Sequence, residues 1–414
     1  MPRRFVHAAD LHLDSPFAGV GSLRPGLDER LRDASLEAWD ALVACCIDEQ
    51  ADFLLLAGDL FDRADGSVRG RARLRSGVER LTAAGVRVFV VHGNHDPLVG
   101  PSPLADLDGV TVFPRDRHAA HTLELDGERV TVHGASFSKR EVTDNLALLF
   151  ERGDESGLHV GLLHCMVGER EGHGRYAPCS VEDLVGRRMD YWALGHVHAY
   201  AEEHAEPPIV YAGALQGRSP RPSERGEHGA VVVEFDGARI TDHRRIELDR
   251  VRFEAIDVAI DAIEDEAGLM RELERRADDV VRAAEGRLVL LRATLTGRGP
   301  LHAQLVRDGY LDQLRLALDA DERDDLVWER LRSTAGPAVD LDALRAAGGY
   351  AAALLDAFDE IASDPAALAA LAEELARPFS DPALAGLAAE DPAARLAAAR
   401  DLALGLVLEQ GEAS

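Results

Sequence analysis

Phe53-Leu54-Leu55-Leu56-Ala57-Gly58-Asp59 is the stretch whose pattern points most directly to the fold. An unbroken apolar run that stops at a glycine and an acid reads as a strand covered on both faces. Strands of that kind belong to sheets flanked by helices. Working outward, segments 5–9, 86–91, 130–133, 160–163, 192–194, 209–211 and 231–235 share the same style, with helical patterns at about 27–50 and 72–84. Residues 1–248 therefore read as an α/β layered domain. Its polar residues fall just past the strand ends, where such folds place their chemistry.

Past residue 249 the pattern changes. Segment 251–260 reads as a strand, 261–284 as a long charged helix and 287–296 as another strand, which predicts a small α/β domain over 249–300. From 301 to 414 no strand signal is evident, and a helical region is expected. Ser363-Asp364-Pro365, Asp381-Pro382 and Asp391-Pro392 each read as a cap followed by proline at the first helical position. Leu368, Leu371 and Leu375, then Leu396, Ala399 and Ala403, repeat at helical spacing. That apolar stripe either packs back on the domain or takes a partner helix.

Composition narrows the class. The 414 residues are 46% hydrophobic and 29% charged, as expected of a globular protein, and no apolar run is long enough for a membrane span. The N-terminus shows no signal-peptide pattern. Cys45, Cys46, Cys165 and Cys179 form no CxxC and read as reduced thiols, which fits a cytoplasmic protein. The net charge of −28 argues against nonspecific attraction to nucleic acid through the bulk field. Lys139 is the only lysine; the other basic residues are arginines.

Five polar blocks carry the chemistry, each beside a strand. They are Asp10-Leu11-His12, Gly58-Asp59, Gly93-Asn94-His95-Asp96, His164, and Gly195-His196-Val197-His198. Singly each is commonplace. Together they supply the imidazoles and carboxylates that suit Mn, Fe, Zn or Co, beside glycines that let the backbone turn tightly. One carboxylate, such as Asp59, can bridge two cations. Two metals roughly 3.5–4 Å apart can activate a water and stabilise both oxygens of a phosphoryl displacement.

The order and spelling of these blocks resemble the calcineurin-like metallophosphoesterase superfamily, over roughly residues 4–236. The resemblance implies a four-layer fold of two packed β-sheets flanked by helices. It also implies that Asp10, His12, Asp59 and His198 hold one divalent ion, and Asp59, Asn94, His164 and His196 the other. His95 would be the general acid, oriented by Asp96. The longer stretches His7-Ala8-Ala9-Asp10-Leu11-His12-Leu13-Asp14-Ser15-Pro16-Phe17, Gly58-Asp59-Leu60-Phe61-Asp62 and Asp190-Tyr191-Trp192-Ala193-Leu194-Gly195-His196-Val197-His198 resemble the SbcD-type DNA repair exonucleases. With 211–218 and 224–229 they are most similar to the YhaO-type bacterial subgroup. That implies a nuclease acting on DNA ends, usually Mn-dependent, with an SMC-type coiled-coil ATPase held by the C-terminal helices and with a homodimer among its assemblies. Residues 249–300 would then be a DNA-capping domain. Asp62 stands where eukaryotic and archaeal relatives carry His, a difference common to bacterial forms.

Other residues admit two readings. Arg63, Arg69, Arg71, Arg73, Arg75 and Arg80 either track a phosphate backbone or line a solvated helix face. Arg218, Arg221 and Arg225 form a weaker candidate of the same kind. Asp14 either orients His12 or is a loop residue. His133 reads as a core-edge histidine, His173 and His228 as exposed loop residues, and Tyr176 as loop packing or a pocket wall. Cys165 is expected to face away from its neighbour His164. The alternative activity is a phosphatase or phosphodiesterase acting on a small molecule, since the same metals serve either.

Overall fold

The computed structural model describes residues 3–411 apart from 18, 21–22, 64–65, 154–155, 169–173, 175, 340 and 376–391. The chain divides into two units, one of Met1–Glu254 with Ala284–Leu290 and one of Ala255–Ala283 with Leu291–Ser414. The elements of the first run β1 (Arg3–Ala8), α1 (Leu27–Asp48), β2 (Phe53–Ala57), α2 (Val68–Ala83), β3 (Arg87–Val91), β4 (Val110–Val112), β5 (Ala119–Leu125), β6 (Glu128–Ala135), β7 (Leu158–His164), α3 (Val181–Val185), β8 (Tyr191–Gly195), β9 (Ala201–Ala205), β10 (Pro208–Tyr211), β11 (Gly229–Asp236) and β12 (Arg239–Glu247).

These strands form two six-stranded sheets, ordered β12-β11-β1-β2-β3-β4 and β5-β6-β7-β8-β10-β9. Phe5, Phe53, Leu55, Phe89, Val231 and Phe235 of the first sheet meet Val130, Val132, Val160, Leu162, Tyr191 and Ala193 of the second in one buried core. The opposite face of the first sheet lies under α1 and α2 through Trp39, Leu42, Leu74 and Val78. The outer face of the second is covered by Phe137, Phe150, Leu184 and Met189 around Trp192. The result is helix, sheet, sheet and helix in four layers, as the sequence implied. Buried positions on both sides explain why the central strands read as unbroken apolar runs.

β1, β2, β3 and β4 run parallel, as do β6, β7, β8 and β10. The carboxyl ends of β1, β2 and β3 therefore lie together, as do those of β7 and β8. His164 pairs with Gly195 across β7 and β8, and Ala9 bridges Ala214.

The second unit contributes α4 (Glu266–Ala283), β14 (Leu288–Thr296) and β15 (Arg298–Gly299), preceded by β13 (Val251–Ala259). After these come α5 (His302–Leu305), α6 (Tyr310–Leu318), β16 (Leu326–Ser333), β17 (Gly336–Pro337), α7 (Leu341–Ala347), α8 (Gly349–Ser363), α9 (Pro365–Leu375) and α10 (Pro392–Gly411). Strand content thus does not end at 300. β16 completes a sheet of order β13-β14-β16, and β15 pairs with β17. Pro365 opens α9 with the Asp364 carboxylate accepting from the Ala366 N–H at 2.9 Å, as that Asp-Pro pair predicts. Asp381-Pro382 and Asp391 lie outside the described residues. In the tail Leu355 and Leu404 are fully buried and Leu396 nearly so, whereas Leu402 and Leu406 stay 67% and 54% exposed. Among the described residues no helix is long and apolar enough to cross a membrane.

Candidate metal centre

The five blocks converge where the parallel strands end. Asp10 and His12 follow β1, Asp59 follows β2, Asn94 and His95 follow β3, His164 ends β7, and His196 and His198 follow β8. Bonds from main-chain N–H groups stitch these loops together: the Asp10 N–H donates to Gly58 O (3.1 Å), the His12 N–H to Asp59 O (3.0 Å), and the His196 N–H to the Asp10 side-chain carboxylate (2.9 Å). The backbone is forced into the left-handed region at Asp10 (φ 49°), His12 (41°), Asp59 (51°) and His196 (104°). Such a conformation costs a non-glycine residue about 1–3 kcal/mol and collects where side chains must be aimed. Crowding explains the neighbouring glycines. A Cβ at Gly93 would stand 2.4 Å from Asp59 Oδ1, and one at Gly195 2.0 Å from Ala57 O.

Among the described residues three sets of donors gather, each with one ligand atom per residue within 4.8 Å of the others: Asp10, His12 and His198; His12, Asp62 and His95; and Asp10, Asp59 and His164. His164 donates its Nδ1–H to Ala57 O at 2.9 Å, which leaves Nε2 as an acceptor. That Nε2 faces two further acceptors, Asn94 Oδ1 at 3.0 Å and Asp59 Oδ2 at 3.4 Å. On the other side His198 gives its Nδ1–H to Glu224 Oε1 at 2.6 Å, and its Nε2 lies 3.3 Å from His12 Nε2. Acceptors that converge while buried require a positive species between them. Spacings of 3.0–3.4 Å are short enough for a common cation to reach both members of such a pair with metal–nitrogen bonds of about 2.1 Å. The residues present therefore fit divalent cations.

The electrostatics agree. Burial pushes the Asp59 carboxyl up to about 6, with Asp10 and Asp96 adding to the rise and His164 offsetting part of it. Burial also holds His12 well below the ordinary histidine range, and Arg218 and His198 act in the same direction. At His198 burial opposes the charge, but Glu224 and Asp10 outweigh it and raise the value.

His196 is brought in through its main chain, and its ring stands edge-on to His164 at 5.2 Å. Its Nε2 faces Gly174 O at 3.2 Å, and it is not a member of the three converging sets. His95 is half-buried. Its N–H donates to Asp59 Oδ1 (2.9 Å) and its ring packs edge-on to His12 at 5.0 Å.

Asp96 does not orient His95. Its two oxygens accept the main-chain N–H groups of Leu60 and Gly93, both at 3.0 Å, beneath the site. The His95 Nδ1 instead meets Asp62, donating to its carbonyl at 3.1 Å with the carboxylate Oδ1 at 3.5 Å. Asp62 also lies 3.5 Å from His12 Nδ1 and takes Arg218 at 3.3 Å. The His12 contact and, after burial opposes it, Arg218 hold its carboxyl well below the carboxylate range. Asp62, which the sequence marked only as a difference from relatives, and Glu224, which it gave no role, are therefore the residues whose part in the site it did not show.

Other expectations resolve. Asp14 binds Ser67 and Arg69, tying its loop to α2 and not to His12. On α2, Arg69 pairs with Asp14 and Asp33, Arg73 and Arg80 with Asp40, and Arg75 with Asp106, so these arginines carry their own counter-charges. His228 is buried, not exposed, with its Nδ1 at 3.2 Å from Ala214 O. His133 is also buried, between His118 and His159 at 2.9 Å each. Tyr176 packs edge-on to His196 at 5.4 Å. Cys165 turns into the outer core, its Sγ 3.8 Å from that of Cys179. His173 lies outside the described residues.

The chain is similar to several known proteins. The family described as calcineurin-like phosphoesterase matches residues 3–200, and the middle domain of metallophosphoesterase YhaO matches 253–336. An uncharacterized metallophosphoesterase YhaO of Bacillus subtilis is 32% identical over 332 residues, 78% of this chain and 79% of that one. A DNA double-strand break repair protein Mre11 of Thermoplasma acidophilum is 26% identical over 349 residues, 81% of this chain and 84% of that one. Among solved structures, a dimetal phosphatase from Danio rerio aligns at 14% identity and a TM-score of 0.36, over 60% of this chain and 98% of that one.

Proposed function

This chain belongs to the calcineurin-like phosphoesterase family and carries the middle domain of its YhaO branch, and we propose that within that family it is a metal-dependent nuclease acting on DNA ends. Phosphoester hydrolysis with divalent metal follows from the family and the candidate ligands. The observation that carries the site reading is the gathering of two acceptor pairs, His12 with His198 and His164 with Asn94, around Asp59, whose Oδ2 lies 3.9 Å from His12 Nε2 and 3.4 Å from His164 Nε2. Asp10, His12, Asp59 and His198 would hold one ion, and Asp59, Asn94, His164 and His196 the other. When bound, the ions supply the positive charge that stabilises the attacking and leaving oxygens of phosphoryl displacement. Manganese is the expected metal, with iron, zinc or cobalt as substitutes.

The chain's own groups do the rest. His95 delivers a proton to the leaving oxygen, and Asp62 holds the ring through Nδ1 so that Nε2 is the acidic position. Asp96 keeps the loop under His95 in place through the Leu60 and Gly93 N–H groups. Arg218 brings a cation to the site, its guanidinium 3.3 Å from Asp62 Oδ1.

DNA enters this reading through the similarity to the archaeal repair protein. By the same reading the protein is cytoplasmic, forms a homodimer and binds an SMC-type coiled-coil ATPase through the C-terminal helices, where Leu402 and Leu406 are exposed. The α2 arginines favour the second reading, a phosphodiesterase or phosphatase on a small molecule, because their charges are already met by acids. Purified protein with Mn²⁺ separates the two when offered linear duplex DNA, single-stranded DNA and an aryl phosphodiester in parallel. Cleavage of the aryl ester alone removes the nuclease. Retained capture of a large ATPase by a Leu402→Asp, Leu406→Asp variant removes the tail from the partner interface.

A further inference from the structure

The stretch from Arg218 to Glu224 reaches the cluster from outside the five blocks. Glu224 ends the short 3-10 turn Pro222–Glu224 and is only 7% exposed. Its Oε1 takes the His198 Nδ1–H at 2.6 Å, and its Oε2 takes the Arg218 main-chain N–H at 2.8 Å. From the same residue the Arg218 guanidinium reaches Asp62 Oδ1 at 3.3 Å. Both oxygens of a buried carboxylate are thus committed, one of them to a residue already read as a metal ligand.

We propose that Glu224 is a positioning residue that fixes the tautomer and direction of the His198 ring and thereby sets how tightly the ion on the His12 and His198 side is held. The inference rests on the two-metal reading above and extends it to one further residue. A neutral imidazole has two tautomers, and only the one protonated at Nδ1 presents a bare Nε2 toward His12. A carboxylate at 2.6 Å selects that tautomer more strongly than a carbonyl and makes the opposite nitrogen a better donor to a cation.

The two sides of the cluster differ here. His164 has the Ala57 carbonyl on its Nδ1, whereas His198 has a charged partner. The two ions are therefore held unequally, and Glu224 governs one of them. Arg218 keeps Glu224 in place from the main chain while its side chain faces Asp62, so the stretch braces His198.

The test is calorimetric titration of full-length protein, stripped of metal, with Mn²⁺ alone, for wild type, Glu224→Gln, Glu224→Asp and Glu224→Ala. The expected result is two ions in the wild type. In Glu224→Gln one affinity is unchanged and the other about 10- to 100-fold weaker, with Glu224→Asp recovering part of the loss. The ¹⁵N spectrum of the His198 ring in metal-free protein gives a readout that needs neither metal nor activity. It should show Nδ1 protonated in the wild type and a tautomer mixture in Glu224→Gln. If Glu224→Ala fails to fold, Glu224→Gln, which keeps the volume and an acceptor oxygen, carries the comparison. Variants that bind two ions as the wild type does, with the His198 spectrum unmoved, overturn the proposal. A wild type that binds fewer than two ions overturns the two-metal reading instead, and the His198 spectrum still reports on Glu224.

Discussion

The Nε2 atoms of His12 and His198 lie 3.3 Å apart although the residues are 186 positions apart in the chain. Without a cation the contact depends on a proton, and the nearby Asp10 and Asp59 carboxylates repel one another. Binding to the folded chain alone stabilises it by mass action, about 2.7 kcal/mol at a hundredfold excess over Kd. Adding Mn²⁺ at that excess to metal-stripped protein should raise the melting temperature by several degrees, and chelator should reverse the gain. Scanning calorimetry with and without EDTA reads this directly. An unmoved transition would mean that the cluster takes no ion.

His95 and Asp62 should separate chemistry from metal binding. Loss of a general acid costs about 10²- to 10⁴-fold in rate, so His95→Ala should lose that much kcat with its metal content intact. Asp62→Asn keeps the carbonyl that receives the His95 Nδ1–H and removes only the charge, so its loss should be smaller, about tenfold. Metal analysis beside steady-state kinetics decides both. Full activity in His95→Ala would end its assignment as the acid.

Asp96 should behave differently from Asp62. It is 3% exposed, and its oxygens receive two main-chain N–H groups. Removing an acceptor from buried donors costs about 1–3 kcal/mol for each group left unmet. Asp96→Ala should therefore shift the urea midpoint well below that of Asp62→Asn. An Asp96→Ala protein as stable as wild type but lacking acid catalysis would restore the pairing expected from adjacency to His95.

Acid should weaken the fold through two buried histidines that are not among the proposed metal ligands. Burial pushes His7 and His133 down to about 3, with the bond from His7 to Leu194 O offsetting part of its shift. An unfolded histidine titrates near 6.5, so between about pH 6.5 and 3 the unfolded chain binds more protons. The stability these residues contribute is present above pH 6.5 and is lost as pH falls through that window, by at most about 1.4 kcal/mol per pH unit for each. Urea midpoints at pH 7.5, 6.0 and 5.0 should decline, and His133→Gln should decline less steeply. Parallel declines would remove His133 from the account.

The central strands and five blocks were legible because burial on both faces writes itself as apolar runs, and ligand chemistry restricts residue types. The exposed strand β12 was not, since Arg239–Glu247 alternates with solvent and carries few apolar side chains. β16 was hidden for another reason: Glu329 sits 8% exposed inside it, its charge met by Arg292 at 2.8 Å, so an inward acid breaks the apolar pattern. Asp62 and Glu224 were hidden because each acts on a histidine distant in sequence. Asp96 misled for the opposite reason, being next to His95 in the chain but turned beneath it.

The α2 arginines give the remaining prediction, which bears on the substrate. Arg73 faces Asp40, and Arg75 holds both oxygens of Asp106 at 2.9 Å. Exposed pairs of this kind are worth about 0–1 kcal/mol, so removing them should leave folding almost unchanged. Each phosphate neutralised by a protein cation adds about 0.9 to the slope of log affinity against log salt. A phosphate track through α2 would therefore lose nearly two units of slope in an Arg73→Ala, Arg75→Ala variant. The pairing with Asp40 and Asp106 predicts instead a slope within about half a unit of wild type and an affinity within about twofold, read by anisotropy of labelled duplex DNA across a salt series. Arg218→Ala is the contrast, since that guanidinium stands at the cluster beside Asp62. It should weaken DNA or aryl-ester turnover while the α2 variant does not. If the α2 variant lost its slope and Arg218→Ala kept full turnover, DNA would run along α2 and the pairing with acids would be what DNA displaces.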